Sequence, residues 1–392
     1  MKTKKIFMAC FNYWTSPFQV GSHHLARGFV EAGYDVAFVS SPISPLHLAG
    51  HIGHINRELC ERYAIYKSGG QRHLGGHIWT YAPGSILIPY NTPLLRSEWV
   101  NHNWHKLTFP SVVKKVKDAG FGEVDIIYFD NPNQAFWLDI IKHKKSMFRI
   151  ADKNSGFEGS TAAMRKLESD LARSVDAVIY TAEHLKDYVE AMHPKSAFHV
   201  PNGVNFKHFK QSSRSVPDEY KNLSKPIALY VGAMESWFDY DLVNRAAAQL
   251  PHVSFVLIGS DQVARARLKH LDNIHILGCR PYSELPRYLY NADVGIIPFD
   301  VGKYPELVNG IHPLKLYEYL ACGLPVVSVE WEEIRNLKSP AVLCQTGDRF
   351  IEAISTAVTQ PQEKDALVKY ASEADWSVRV KTIFNFLGMS QA

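Results

Sequence analysis

The chain has 392 residues, 46% hydrophobic and 21% charged, with a formal net charge of +4. Domains usually hold about 100–200 residues, so two are expected. This much apolar sequence excludes a disordered chain. A charge so near balance excludes a nucleic-acid binder, whose basic residues would cluster on one face. It is compatible with an anionic substrate or contact with anionic lipid.

Cys10, Cys60, Cys279, Cys322 and Cys344 are odd in number, scattered, and form no C-x-x-C pair. They fit reduced thiols in the cytosol, not a disulfide framework or a zinc site. The apolar run in MKTKKIFMAC is too short for a signal peptide. No stretch approaches the ~20 apolar residues of a membrane-spanning helix. The expected location is cytoplasmic, with any membrane association peripheral, at the inner face.

In chain order, Lys5–Cys10 is a short apolar run, followed by a polar loop and a helix near Ser22–Ala32. Gly33 follows as a C-cap, and Asp35–Ser40 is the next strand. Strand, helix, glycine and strand make a parallel βαβ unit. Long loops are expected at Pro42–Gly53 and Pro83–Trp104, the second rich in aromatic and basic residues, and loops of that length are often functional. Strands follow at Ile126–Asp130, Met147–Ala151 and Ala177–Thr181, with a helix around Ala162–Arg173.

After Val200–Phe209 the pattern restarts. Ile227–Gly232, Ser254–Gly259, Ile274–Leu277, Val294–Pro298 and Pro325–Val329 read as strands, with Tyr240–Leu250 a helix. The last helical stretch is Val378–Leu387, after Trp376. The expected fold class is α/β, with two doubly wound Rossmann-like domains facing across a cleft and a hinge near Asn202–Lys207. The expected domains are 1–203 and 204–375, with a C-terminal helix in 376–392 crossing back to the first.

The strongest segment is GIHPLKLYEYLACGLPVV, Gly310–Val327. Lys315 and Glu318 are three apart and share a helix face. The loop before them turns the positive helix end toward an anion. A first-turn lysine with free backbone N–H groups suits a diphosphate, and a carboxylate one turn on can accept from ribose hydroxyls. The same residues also fit a plain amphipathic helix with an exposed ion pair.

The run KLYEYLACGLPVV resembles the nucleotide-binding signature of GT-B glycosyltransferases. VPNGVNFKHF is similar to their interdomain segment, YVGAM to the first strand and glycine loop of their C-terminal domain, and Leu277–Phe299 to their base-binding region. Within that fold the pattern resembles glycosyltransferase family 70, the inverting glucuronosyltransferases of xanthan assembly. These transfer glucuronate from UDP-glucuronate to a lipid-linked oligosaccharide at the inner membrane face.

The resemblance implies donor-binding residues Gly232, Ala233, Met234, Cys279, Arg280, Phe299, His312, Leu314, Lys315 and Glu318. Met234 would lie beside the nucleotide and Lys315 would hold the phosphates. Glu318 stands where the family has glutamine, and Phe299 where it has tyrosine. Retaining family 4 enzymes carry a glutamate eight positions before the one in this helix; here that position is Gly310, which argues for inversion.

Inversion needs a general base to deprotonate the acceptor hydroxyl. Asp152, in Phe148–Gly159, lies just past a strand end, where parallel sheets place ligands, and matches the family's catalytic aspartate. It also fits a helix N-cap or a loop aspartate paired with Lys153 or Arg149. Acceptor-side candidates are Trp14, His23, His24 and Asp130; each also has a packing or turn-capping reading. No His/Asp/Glu cluster is read as having metal-ligand spacing, so no metal and no cofactor beyond the UDP-sugar substrate are expected. Lys315, Arg280 or a helix dipole would stabilise the leaving group. The expected partners are a UDP-sugar and a saccharide or lipid-linked acceptor, and not nucleic acid. Rival readings are a retaining transferase, a nucleotide-sugar epimerase and a non-catalytic partner subunit.

Overall fold

The computed structural model describes residues 3–45, 47, 57–92, 95–156, 160–211, 213–360 and 363–389. Most of the expected Pro42–Gly53 loop, part of Pro83–Trp104 and the end of the Phe148–Gly159 segment lie outside the described residues. The chain forms two compact units. The first gathers the chain up to Ser16, Val20–Pro201 and the stretch from Val380; the second holds Pro17–Gln19 and Asn202–Arg379.

In the first unit the strands are β1 (Lys5–Ala9), β2 (Asp35–Val39), β3 (Gln71–His73), β4 (Ile78–Tyr81), β5 (Glu123–Phe129), β6 (Lys142–Ile150), β7 (Ala177–Tyr180) and β8 (Ala197–His199). They form one sheet in the order β3-β4-β2-β1-β5-β6-β7-β8. All neighbours are parallel except β3 and β4. Continuous apolar runs such as Ile6–Ala9 and Ile126–Phe129 are fully buried, as strands covered on both faces must be. The chain winds outward from β1 in both directions, so the strand order reverses between β1 and β5. Ligand sites of open α/β sheets lie beyond the strand ends at such a point.

The helix Gly21–Glu31 follows β1 and ends where Gly33, at φ +89°, takes the left-handed turn that a side chain resists. The C-terminal helix, Trp376–Leu387, packs on this unit through its second half. Phe384 stacks on Tyr34 at 5.2 Å and lies 5.7 Å from Phe29. Gly28 makes room for Val380, whose Cγ2 would lie 2.6 Å from a methyl group added there.

The second unit contains β9 (Ile227–Val231), β10 (Ser254–Ile258), β11 (Ile274–Ile276), β12 (Val294–Ile297), β13 (Val326–Val329) and β14 (Val342–Cys344). Their order is β11-β10-β9-β12-β13-β14, all parallel. The reversal falls between β9 and β12. Helix Leu314–Ala321 precedes β13 and buries Leu316, Tyr319 and Leu320 completely.

Some elements differ from the sequence reading. β5 and β6 begin several residues earlier, in polar sequence that pairs at the sheet's rim. β3, β4, β8 and β14 were not expected: three of them span only three residues, too short to show a period of two. The end of the Pro83–Trp104 segment is helical rather than loop. Helix Glu98–Asn103 starts at Ser97, whose side chain accepts from Val100 N, and Trp104 is fully buried.

Candidate functional site

In the second unit the expected donor-binding residues converge on Lys315. It sits in the first turn of Leu314–Ala321, a helix whose N-cap is Pro313 and whose first N–H groups receive no side-chain cap. Its ammonium donates to Tyr230 Oη at 3.0 Å. The same Nζ lies 4.5 Å from the Tyr230 ring centroid and 4.6 Å from that of Phe299. Tyr230 Oη in turn donates to Ala233 O at 2.6 Å.

Glycine makes this approach possible. Gly232 has φ +148°, and a methyl group there would meet Lys315 Nζ at 2.9 Å. Gly259, at the end of β10, brings its α-carbon against Gly232 O so closely that a side chain would collide with that oxygen. The two bare backbones leave the lysine head beside the Gly232–Ala233 peptide, which is partly exposed. Met234 is fully buried behind it, with its carbonyl accepting from Tyr240 Oη.

Burial holds the Lys315 ammonium down to about 7, with Glu318 opposing the shift. Burial likewise pushes Glu318 up to about 7, with Lys315 opposing. Glu318 is 9% exposed. The two are not within ion-pair distance, so the exposed-pair reading of this helix does not hold. Both groups are moved toward their neutral forms because water has been removed without a full replacement. An anion at the helix N-terminus would supply what the lysine lacks.

The remaining expected donor residues are placed differently. Arg280 is occupied: it donates to Glu219 Oε1 at 2.8 Å, to Tyr288 Oη at 3.0 Å and to Leu277 O. It braces the segment after β11, and each guanidinium nitrogen already donates within this unit. Cys279 is exposed beside it. His312 is buried, stacked on Tyr317 at 5.5 Å, and its carbonyl accepts from Asn202 Nδ2 at 2.8 Å. Leu314 is half-buried at the head of the helix.

The chain does carry one D-x-D spacing, Asp239–Tyr240–Asp241, which corrects the reading of metal-ligand spacings. Capping accounts for it. Asp239 accepts from Leu242 N at 2.8 Å, and Asp241 lies in the first turn of Tyr240–Gln249. Among the described residues no group of three or more His, Cys, Asp or Glu side chains is arranged around a common point.

In the first unit Asp152 follows β6 by two residues, half-buried. The loop is anchored by Thr181, which donates through Oγ1 to Ala151 O at 3.0 Å. Burial raises the Asp152 carboxyl above its ordinary range, and the Arg149 guanidinium pulls it back. Among the described residues no donor hydrogen-bonds to it and it caps no helix. A raised carboxyl beyond a parallel strand's end is what a general base requires.

Asp130, also past a strand end, is fully used. It accepts from Phe11 N at 2.7 Å and from Ser22 Oγ, which shares a 2.7 Å hydrogen bond with Tyr128 Oη. Buried Arg149 lies against Gly21 nearby. Asp130 therefore joins β1, β5 and the first helix. His23 is a core residue: Nδ1 accepts from Val20 N at 3.2 Å and Nε2 lies 2.9 Å from Tyr13 O. Burial lowers it to about 4, so it stays neutral. His24 is buried beside it, and Trp14 packs on Phe38 with Arg27 over its ring. Sequence reasoning missed Tyr230, which orients Lys315, and gave Arg149 no role beyond a counter-ion. Tyr230 stands in the YVGAM motif, but as a strand residue nothing sets it apart.

Comparisons with known proteins divide along the same line. Residues 8–181 match the family model described as the N-terminal domain of glucuronosyltransferase GumK. Residues 225–360 match the model described as glycosyl transferases group 1. A curated relative, the Bacillus subtilis protein TuaH, named as a teichuronic acid biosynthesis glycosyltransferase, is 27% identical over 204 residues. That match covers 49% of this chain, and the chain spans about half the relative's length (51%).

Among solved structures, sucrose-phosphate synthase from Thermosynechococcus elongatus is 18% identical with TM-score 0.66, covering 98% of both chains. Anabaena HepE, solved with UDP-glucose, is 16% identical with TM-score 0.66, covering 98% of this chain and 99% of that one. At such identities the structural likeness speaks for the fold alone. Taken with the two sheets, it gives the chain the GT-B fold, its first part resembling the N-terminal domain of GumK and its second part the glycosyl transferases of group 1.

Proposed function

We propose that the protein is an inverting, metal-independent glycosyltransferase that moves a sugar, glucuronate in this reading, from a UDP-sugar to a saccharide or lipid-linked saccharide in surface polysaccharide assembly. The glucuronosyltransferase match in the first half and the teichuronic acid relative support the substrate class. HepE was solved with UDP-glucose, which supports a uridine donor. Among the described residues no helix is long and apolar enough to cross a membrane; a lipid-linked acceptor would be met at the membrane surface.

The observation that carries the reading is the half-buried Lys315 ammonium between the Gly232 backbone and the Phe299 ring, without a carboxylate partner. Lys315 and the uncapped N–H groups of its helix would hold the diphosphate, and Glu318 would accept from the ribose. The Asp152 carboxylate takes the proton of the acceptor hydroxyl. That oxygen attacks the anomeric carbon from the face opposite the diphosphate, and the bond to the leaving oxygen breaks, its electron pair departing with UDP. Lys315 neutralises the charge that develops there.

The test is a proton NMR assay of UDP-glucuronate and related α-linked donors, with and without acceptor saccharides. A β-linked product formed only with acceptor is expected. An α-linked product overturns inversion. A new sugar epimer from donor alone, or UDP binding without turnover of any donor, overturns transfer.

A further inference from the structure

The first unit contains a second concave site, in which none of the candidate donor residues and no part of the Asp152 loop takes part. It is a cleft of about 410 Å³ between the Glu98–Asn103 helix, the turn after β5 and the Ala162–Ser174 helix. That volume falls within the roughly 300–1,000 Å³ of small-molecule sites.

Two residues of its lining, Asn101 and Asn133, each carry a buried amide oxygen with no hydrogen-bond partner among the described residues. Asn101 is only 2% exposed. Its other amide atom, Nδ2, donates to Ser97 O at 2.9 Å, which fixes the oxygen as the unpaired end. A buried acceptor without a donor has lost its hydration with nothing in return, so two in one cleft need a reason.

The wall between them is rigid. Trp104 Nε1 donates to Asn133 O at 2.7 Å, and the Trp104 ring meets Phe136 edge-on at 5.2 Å. His105 stacks on Phe136, 4.0 Å between ring centroids and 15° from parallel. Burial lowers the His105 imidazole, followed by the Lys106 charge, so it is neutral at pH 7. The exposed carboxylate of Asp139 stands at the rim.

Such a lining is rich in acceptors and flanked by flat rings and aliphatic side chains. It suits a ligand with many O–H donors and C–H faces; the lining's lysine, Lys106, is already held by Asn103 Oδ1 at 2.8 Å. We propose that this cleft binds a neutral sugar unit, one or two pyranose rings, through the Asn101 and Asn133 amide oxygens and the Phe136–His105 wall. The choice of a saccharide over another polyol rests on the proposed glycosyltransferase function. The natural ligand would then be a unit of the acceptor remote from the hydroxyl that reacts.

The test uses the full chain and saturation-transfer-difference NMR with a panel of neutral mono- and disaccharides, compared with glucuronate and glycerol. Selective saturation of one or more neutral saccharides is expected, weakened at least tenfold by Asn133→Ala and by Phe136→Ala, with UDP affinity unchanged. Absence of binding from the whole panel, or binding indifferent to both variants, overturns the proposal, as does a preference for glycerol or glucuronate. Because Asn101 is buried, Asn133→Leu serves as the second blocking variant, and unchanged thermal melting confirms that it folds. Saccharide binding that survives when neither UDP binding nor transfer is found leaves the cleft standing and removes the transferase reading. Transfer without cleft-dependent saccharide binding does the reverse.

Discussion

At the scale of single residues, the proposed donor site rests on Lys315. A charge-assisted hydrogen bond contributes about 1.5–3 kcal/mol, so Lys315→Ala should weaken UDP binding roughly tenfold to a hundredfold. Its amine titrates near 7 before ligand arrives. A bound diphosphate favours the charged form, so binding above pH 7 must take up a proton. Affinity should fall as pH rises from 7.5 to 9, where UDP itself is fully ionised. Glu318, held near 7, becomes negative over the same interval and pushes in the same direction. Calorimetry in two buffers of different ionisation enthalpy reads the proton uptake; a pH-independent affinity contradicts it. Asp152→Asn should lower transfer about 10²–10⁴-fold with UDP binding intact. Because burial raises the Asp152 carboxyl, the acid limb of the transfer rate should lie above the ordinary carboxylate range.

Among the elements, the C-terminal helix is the clearest case of packing overriding local preference. Alanine in a helix interior is favoured over glycine by about 1 kcal/mol. At Gly28 the added methyl would meet Val380 Cγ2 at 2.6 Å, so the sign reverses. Gly28→Ala should lower thermal stability by about 1–3 kcal/mol, the usual cost of overpacking. In a Val380→Ala background the penalty should vanish, a coupling that a thermodynamic cycle measures. Equal penalties in both backgrounds would place the strain elsewhere. Phe384→Ala removes a buried ring stacked on Tyr34 and should cost about 3–5 kcal/mol.

For the whole molecule, the two parallel sheets were legible because their central strands are unbroken apolar runs separated by helical periods. Three of the four edge strands were not, since β3, β8 and β14 span three residues each, too few to show a period of two; the fourth edge, β11, was read from Ile274–Leu277. The proposed donor site was legible in part. Lys315, Glu318 and Gly232 stand in ordered motifs, while Arg280 reads as a phosphate ligand until Glu219, sixty-one residues earlier, is seen to occupy it. Asp130 and His23 read as cleft residues because strand ends and helix starts are where ligands bind; here Asp130 is taken by Phe11 N and Ser22 Oγ, and His23 by Tyr13 O and Val20 N. The Asn101–Asn133 cleft left no trace in the sequence, being assembled from separate segments by tertiary folding. The most direct measurement of the donor site is isothermal calorimetry of UDP against the full chain and its Lys315→Ala variant at pH 7.5. Binding by the parent chain, at least tenfold weaker in the variant with unchanged melting, is the expected result. No heat of UDP binding to the parent, or equal affinity in both, would contradict a diphosphate site at the head of the Leu314–Ala321 helix.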